Sequence, residues 1–289
     1  SLTYFFLELL IEKIKCSIDI KKYLIYVLLA TVCDVMPLRK LNRLISITAL
    51  KKFKITNNIV LDKLFRLSNN KKNVDINDLG FLIGPILNSG GRLGKSNFAT
   101  ELLSSDKLDV INKKSQELID LNTKRKNIET SILNDIDFTK LEKNNEEIII
   151  YNKTNINEGL IGIIAARLKD YFNKPTIVIT KSNNILKASA RSTSSFNIGI
   201  LIKLLIDKNI IDKGGGHNMA AGFSMKKNKL KLLDNFIQNE YLKKNPHLNE
   251  SNKYDIELSA SALNIKFLKD INKLGPFGNF NLSPIFLIK

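Results

Sequence analysis

From Leu2 to about Leu103 apolar residues return every three or four positions and never alternate, which predicts helices near 2–15, 21–33, 42–53, 58–67, 78–88 and 96–104 and no strand. Between Asp106 and about Leu141 the apolar positions Val110, Leu118, Leu121, Ile128 and Ile132 are spread among many charges. That spacing predicts one long, partly exposed helix able to bridge two domains. After Asn144-Asn145 the texture changes. Short apolar runs predict strands at 147–151, 176–180, 185–190 and 221–225, and helical patterns separate them at 160–172, 198–208 and 229–243. Such alternation argues an α/β domain. Tyr254–Leu258 alternates as the first strand of another module, and Ile285–Lys289 looks like the middle of a strand, so the chain reads as a fragment whose last module is incomplete.

With 289 residues and 44% apolar content, two domains with ordinary cores are expected rather than one. A formal charge of +17 points to a polyanionic partner, because clustered cations on a phosphate backbone release counterions. The abundance of Lys, Asn and Ile weakens that inference, since it fits compositional drift equally well. Only seven of the 45 basic residues are arginines, and these carry more information than the lysines. Cys16 and Cys33 lie in apolar helical patterns and supply no disulfide framework, which fits a reduced, cytoplasmic setting. The apolar run Tyr4–Ile11 contains Glu8 and follows no basic segment, so neither a signal peptide nor a membrane span is expected.

The chemistry concentrates in a few segments. Lys213-Gly214-Gly215-Gly216-His217 leaves the backbone bare, and glycines before a helix start can turn several N–H groups toward one anion. The alternative is a flexible loop ending in a helix cap. In Lys187-Ala188-Ser189-Ala190-Arg191, Ser189 and Arg191 fall on one face of the expected strand and offer a hydroxyl and a guanidinium fork to a phosphate. His217 beside the glycines suits an oxyanion or a leaving group, whereas His247 in Asn245-Pro246-His247 reads as an exposed loop residue. Asp34 ends an apolar helix, where a carboxylate opposes the helix dipole. Its partner is then a hard cation or a salt bridge to Arg39 or Arg43. Gly90-Gly91-Arg92-Leu93-Gly94 reads either as a helix C-cap or as a second phosphate contact through Arg92. Glu158–Arg167 opens a helix whose Gly162, Ala165 and Ala166 suit close packing on a sheet. No Ser/His/Asp set, zinc-ligand spacing, P-loop or dinucleotide fingerprint is present. Phosphoryl chemistry is what remains.

Taken in order, Thr31–Leu38, Ser89–Gly94, Glu158–Arg167, Ser189–Ser192, Gly214–Gly222 and Leu274–Gly278 resemble the RecJ family of single-strand-specific exonucleases in the DHH phosphoesterase superfamily. The resemblance covers essentially the whole chain. It implies an α/β protein in four parts: the helical remainder of a DHH domain (1–105), a connecting helix (106–143), a DHH-associated domain (144–245) and the truncated start of an OB fold (250–289). It also implies 5′ to 3′ hydrolysis of single-stranded DNA in repair and recombination, by a two-metal site using Mn²⁺ or Mg²⁺. By this resemblance Asp34 is a metal ligand and His217 a catalytic residue. Arg92, Ser189, Arg191, Gly214, Gly215, Gly216 and His217 contact the DNA, with Ser189 and Arg191 on its 5′-terminal phosphate. Single-strand-binding protein and a helicase are the implied partners. The family's Asp-x-Asp and Asp-His-His motifs are absent, so this piece alone is expected to be inactive. Ile156-Asn157 stands where many relatives have Trp-His, so no role passes from that histidine. A DHH-family oligoribonuclease or cyclic-dinucleotide phosphodiesterase, and a non-catalytic single-strand binder, are the alternatives.

Overall fold

The computed structural model describes residues 2–68, 74–144, 146–241 and 254–289; His247 lies outside them. In chain order the helices begin with α1 (Leu2–Lys13), α2 (Leu24–Cys33), α3 (Lys40–Lys52), α4 (Ile59–Ser68), α5 (Gly84–Arg92), α6 (Phe98–Leu103), α7 (Leu108–Asn134) and α8 (Phe138–Lys143). Then follow β1 (Ile149–Asn152), α9 (Ile161–Phe172), β2 (Thr176–Ser182), β3 (Ile185–Arg191), α10 (Ile198–Asp207), β4 (Lys213–His217), β5 (Ala220–Lys226) and α11 (Leu230–Asn235). The last elements are β6 (Ile256–Leu258), α12 (Ile265–Asn272) and β7 (Phe286–Ile288). The protein is therefore mixed α/β, with no strand among the described residues before β1. Among the described residues no helix is long and apolar enough to cross a membrane.

Contacts divide the chain into two compact units. The first holds the described residues up to Gly90, Gly94–Asn122 and 254–289, and the second holds Gly91–Leu93 and the described residues from Thr123 to Tyr241. Helix α7 contributes to both. The residues expected to open a separate OB module thus group with the N-terminal helices. In the first unit Ile25, Leu28, Leu61, Leu64, Phe65, Leu79 and Ile83 form the buried centre. This follows from the three-to-four spacing that the sequence displays.

The second unit is built on a five-stranded sheet of order β1-β2-β3-β5-β4, in which β1 pairs parallel with β2 and the other pairs are antiparallel. Alternation assigns its residues to two faces. Ala188, Ala190, Ala221 and Phe223 join Ile198, Leu201, Ile202 and Leu205 of α10 in one core. Val178 joins Ile161, Ile164, Ala165 and Leu168 of α9 on the other.

One expectation is overturned here. The glycine run is not a loop before a helix start but the edge strand β4, hairpinned to β5 through Asn218-Met219. Close packing explains two of its glycines: a Cβ on Gly214 would stand 2.9 Å from Phe223 Cβ and 3.1 Å from Ile202 Cγ2, and one on Gly216 would stand 2.4 Å from Ala221 Cβ. A Cβ on Gly215 would meet nothing within 4 Å. Its missing side chain serves no packing inside the protein.

Candidate nucleic-acid interface

The register of the sheet brings Ser189, Arg191, Gly215 and His217 onto one face, whereas Gly214 and Gly216, expected to contact the DNA as well, stand on the opposite face packed toward α10. Directly opposed residues of antiparallel strands point the same way. Ser189 lies opposite Gly222, which lies opposite Gly215; Arg191 lies opposite Ala220, which lies opposite His217. Two strand spacings, roughly 10 Å, separate the β3 residues from those of β4. Between Ser189 and Arg191 on one side and His217 on the other, the floor is glycine and alanine backbone. A third row, Lys187, Ser224 and Lys213, extends the same face. Neither lysine is legible as a site residue in the sequence, because both are commonplace there and only the pairing aligns them.

Helix α9 frames the β3 side of this floor. A Cβ on its Gly162 would stand 2.9 Å from Arg191 Nη2 and 3.1 Å from Ser189 Oγ, so the first turn of the helix lies directly against both groups. Leu160, its N-cap, makes no side-chain capping bond, leaving the positive end of a 12-residue helix beside them. Arg92 reaches the same corner by donating from Nη1 to the Gly159 carbonyl at 3.0 Å. Gly159 must be glycine, since its Cβ would stand 2.4 Å from the Arg92 carbonyl oxygen. Of the two readings of Gly90–Gly94, the C-cap is the one observed, with Lys95 N–H bonding back to the Gly90 carbonyl, and Arg92 is half-buried.

Four of the seven arginines gather in this unit. Glu129, 6% exposed, accepts from Arg125 Nη1 at 2.8 Å and from Arg167 Nε at 2.7 Å. Burial, then the Arg125 charge, pulls the Arg92 guanidinium below its ordinary pKa, with Glu129 opposing. Burial, then the Arg92 charge, does the same to Arg191. Arg191 donates from Nη1 to Ser189 Oγ at 3.2 Å and to the Ala190 carbonyl at 2.8 Å. Among the described residues no carboxylate pairs with Arg92 or Arg191, which leaves two half-buried, mutually repelling guanidinium groups with donors to spare. An anion fits them better than any neutral ligand.

Asp34 stands in the first unit. The salt bridge that offered an alternative partner does not form: Arg39 Nε donates to the Phe280 carbonyl at 2.7 Å and Arg43 Nη2 to those of Leu274 and Gly275. Asp34 is an exposed carboxylate that caps α2. After it the chain closes a Schellman motif, with Val35 N–H on the Val32 carbonyl at 3.1 Å and Met36 N–H on that of Thr31 at 2.9 Å. The left-handed position belongs to Val35, at φ 53°, where glycine is usual. For a β-branched residue this costs roughly 1–2 kcal/mol. The oxygen chemistry of Asp34 suits Mn²⁺ or Mg²⁺. However, among the described residues no three His, Cys, Asp or Glu side chains come together to hold an ion. One carboxylate does not make a metal centre, and the described residues alone do not fit one.

Residues 145–243 match the model of the DHHA1 domain. Over 90% of its length the chain is 29% identical to the single-stranded-DNA-specific exonuclease RecJ of Bacillus subtilis, covering 34% of that protein, and 29% identical to RecJ of Haemophilus influenzae, covering 47%. Over most of its length the chain is thus similar to RecJ, and residues 145–243 carry the match to DHHA1. Its fold superposes on the crystal structure of RecJ in complex with Mn²⁺ from Thermus thermophilus with a TM-score of 0.82, at 22% identity, covering 93% of this chain and 40% of that one. The chain thus spans between about a third and a half of the RecJ relatives it matches. The face described above lies within the residues that match DHHA1.

The two kinds of glycine in β4 should separate on substitution. Gly216→Val is expected to lower stability by about 1–3 kcal/mol through overpacking, read as a lower Tm. Gly215→Val is expected to leave Tm within a degree or two while weakening single-strand binding, because the new side chain stands on the bare floor. Unchanged binding by a folded Gly215→Val protein would remove that floor from the interface.

Proposed function

We propose that this chain is the phosphate-binding and strand-guiding part of a metal-dependent exonuclease that digests single-stranded DNA from its 5′ end. The observation that carries the reading is the bare glycine floor bordered by Arg92, Ser189 and Arg191, whose open donors no carboxylate of the described residues takes up. A terminal phosphate docks at Arg191, Ser189, Arg92 and the start of α9. The following backbone crosses Gly222 and Gly215 toward His217, which is placed to donate to a phosphate oxygen or to the leaving group. Lys213 adds sequence-independent attraction along the same face, while Lys187 is already paired with Glu158. Asp34 is assigned as one ligand of a metal centre whose other ligands come from outside the described residues. Similarity to RecJ supports a role in DNA repair and recombination in the cytoplasm, alongside single-strand-binding protein and a helicase. A non-catalytic single-strand binder is the second reading, favoured by the lack of a metal-ligating cluster among the described residues.

The 289-residue chain is expected to bind a fluorescent single strand with an affinity that falls steeply with salt, and to leave that strand intact in Mn²⁺. Binding follows from the basic face through counterion release. The intact strand follows because one carboxylate cannot place two ions roughly 4 Å apart for in-line displacement. Fluorescence anisotropy and gel analysis of a 5′-labelled strand check both parts. Full-length protein that digests the strand excludes the non-catalytic reading, and full-length protein that does not digest it excludes the exonuclease. Robust digestion by the 289-residue chain would place the catalytic centre elsewhere.

A further inference from the structure

The two borders of the glycine floor differ in chemistry. On one side runs the row of Lys187, Ser224 and Lys213, in which Lys187 is paired with Glu158 and Lys213 is exposed. On the other side runs the row of Arg191, Ala220 and His217, and past it the hairpin turns through Asn218-Met219. Met219 is 47% exposed. The other large apolar residues exposed among the described residues of the second unit stand away from the floor: Tyr171 in α9, Ile200 in α10, Leu232 in α11, and Ile185 at the start of β3, beyond the lysine row.

The turn that carries Met219 is held in place. Ser192 N–H donates to the Met219 carbonyl at 2.9 Å, Ile198 N–H donates to the Asn218 carbonyl at 3.2 Å, and Asn197 Nδ2 donates to Asn218 Oδ1 at 2.7 Å. Helix α10 backs the end of the hairpin, since a Cβ on Gly199 would stand 3.1 Å from the His217 carbonyl carbon. A fixed backbone thus presents an unbranched, flexible thioether at the edge of the floor.

A nucleotide has two unlike parts, and the face offers each of them a border. Phosphates seek lysine and guanidinium groups, whereas the face of a base is apolar and stacks without regard to sequence. A strand that starts at Arg191 and crosses Gly222 and Gly215 turns its bases either toward the lysine row or toward the Asn218-Met219 turn. Covering Lys213 with an uncharged ring would take a cation out of water without giving it a partner. We infer that Met219 is the seat of the first base, its thioether lying against the ring of the 5′-terminal nucleotide. Sulfur is polarizable and its contacts with flat rings are favourable. Having no strong donor or acceptor, it serves all four bases alike. This inference rests on the reading of Arg191 as the site of the terminal phosphate.

The test is a set of anisotropy titrations of the 289-residue chain with two 5′-phosphorylated single strands, identical except that the first nucleotide of one is abasic. Met219→Ala is expected to weaken binding of the base-bearing strand about three- to tenfold, the range that sulfur–ring contacts supply. Binding of the abasic strand should change by no more than about twofold, because the partner of Met219 is already gone. Tm should hold within a degree or two, since Met219 is exposed. A merely structural role would weaken both strands together. Unchanged binding of the base-bearing strand, or equal losses on the two strands, overturns the inference while the wild-type preference for a 5′-phosphate stands. A wild-type chain that binds 5′-phosphorylated and 5′-hydroxyl strands alike would instead overturn the phosphate reading, and the first base would lose its place with it.

Discussion

Arg191→Ala is expected to weaken binding of 5′-phosphorylated single strands by ten- to a hundredfold and binding of otherwise identical 5′-hydroxyl strands by only a few-fold. A hydrogen bond to a charged group contributes about 1.5–3 kcal/mol, which spans that range. The difference between the strands arises because a terminal phosphate carries a charge and oxygens that an internal position lacks, and a guanidinium fork engages two oxygens at once. Arg92 survives the substitution and loses its repelling neighbour, so some phosphate affinity should remain. Arg191→Lys should recover little of the loss, since a point charge cannot replace a fork whose Nη1 is already held by Ser189 and the Ala190 carbonyl. Anisotropy titrations with the two strands read the effect. Equal losses on both would assign Arg191 to general attraction and not to the end of the strand.

A larger effect is expected at Asp34. In full-length protein Asp34→Ala should lower hydrolysis by a thousandfold or more, on the order expected when a hydrolytic centre loses a metal ligand. Single-strand binding should be nearly unchanged, because the residues assigned to phosphate lie in the second unit. Stability should also hold, since Asp34 is exposed and neither Arg39 nor Arg43 pairs with it. Asp34→Asn is the sharper variant: it keeps size and capping geometry and removes only the charge. Hydrolysis retained within tenfold would reduce Asp34 to the end cap of α2.

What the sequence discloses here and what it withholds divide along a physical line. Ser189 and Arg191 are legible because a strand period of two needs no partner to put them on one face. The helices of the first unit are legible for the same reason, through their three-to-four spacing. The glycine run is misread because three glycines carry no periodicity, and only pairing with β5 and the approach of α10 make it a strand. The shared face of Ser189, Gly222 and Gly215 depends on cross-strand register, a tertiary property. Arg125 and Glu129 stand at helical i, i+4 spacing and invite a pairing, yet Arg167, the other partner of Glu129, comes from a different helix. Helix α12 goes unannounced because its short apolar stripe follows a strand-like alternation.

The terminal phosphate is proposed to sit on the five-stranded sheet of the second unit. A crystal structure of the 289-residue chain with a 5′-phosphorylated trinucleotide tests this placement most directly. The expected result is a terminal phosphate bonded to Arg191, Ser189 and Arg92, with the next sugar-phosphate lying over Gly222 and Gly215 toward His217. A trinucleotide ordered elsewhere, with this corner holding only water, would contradict the account.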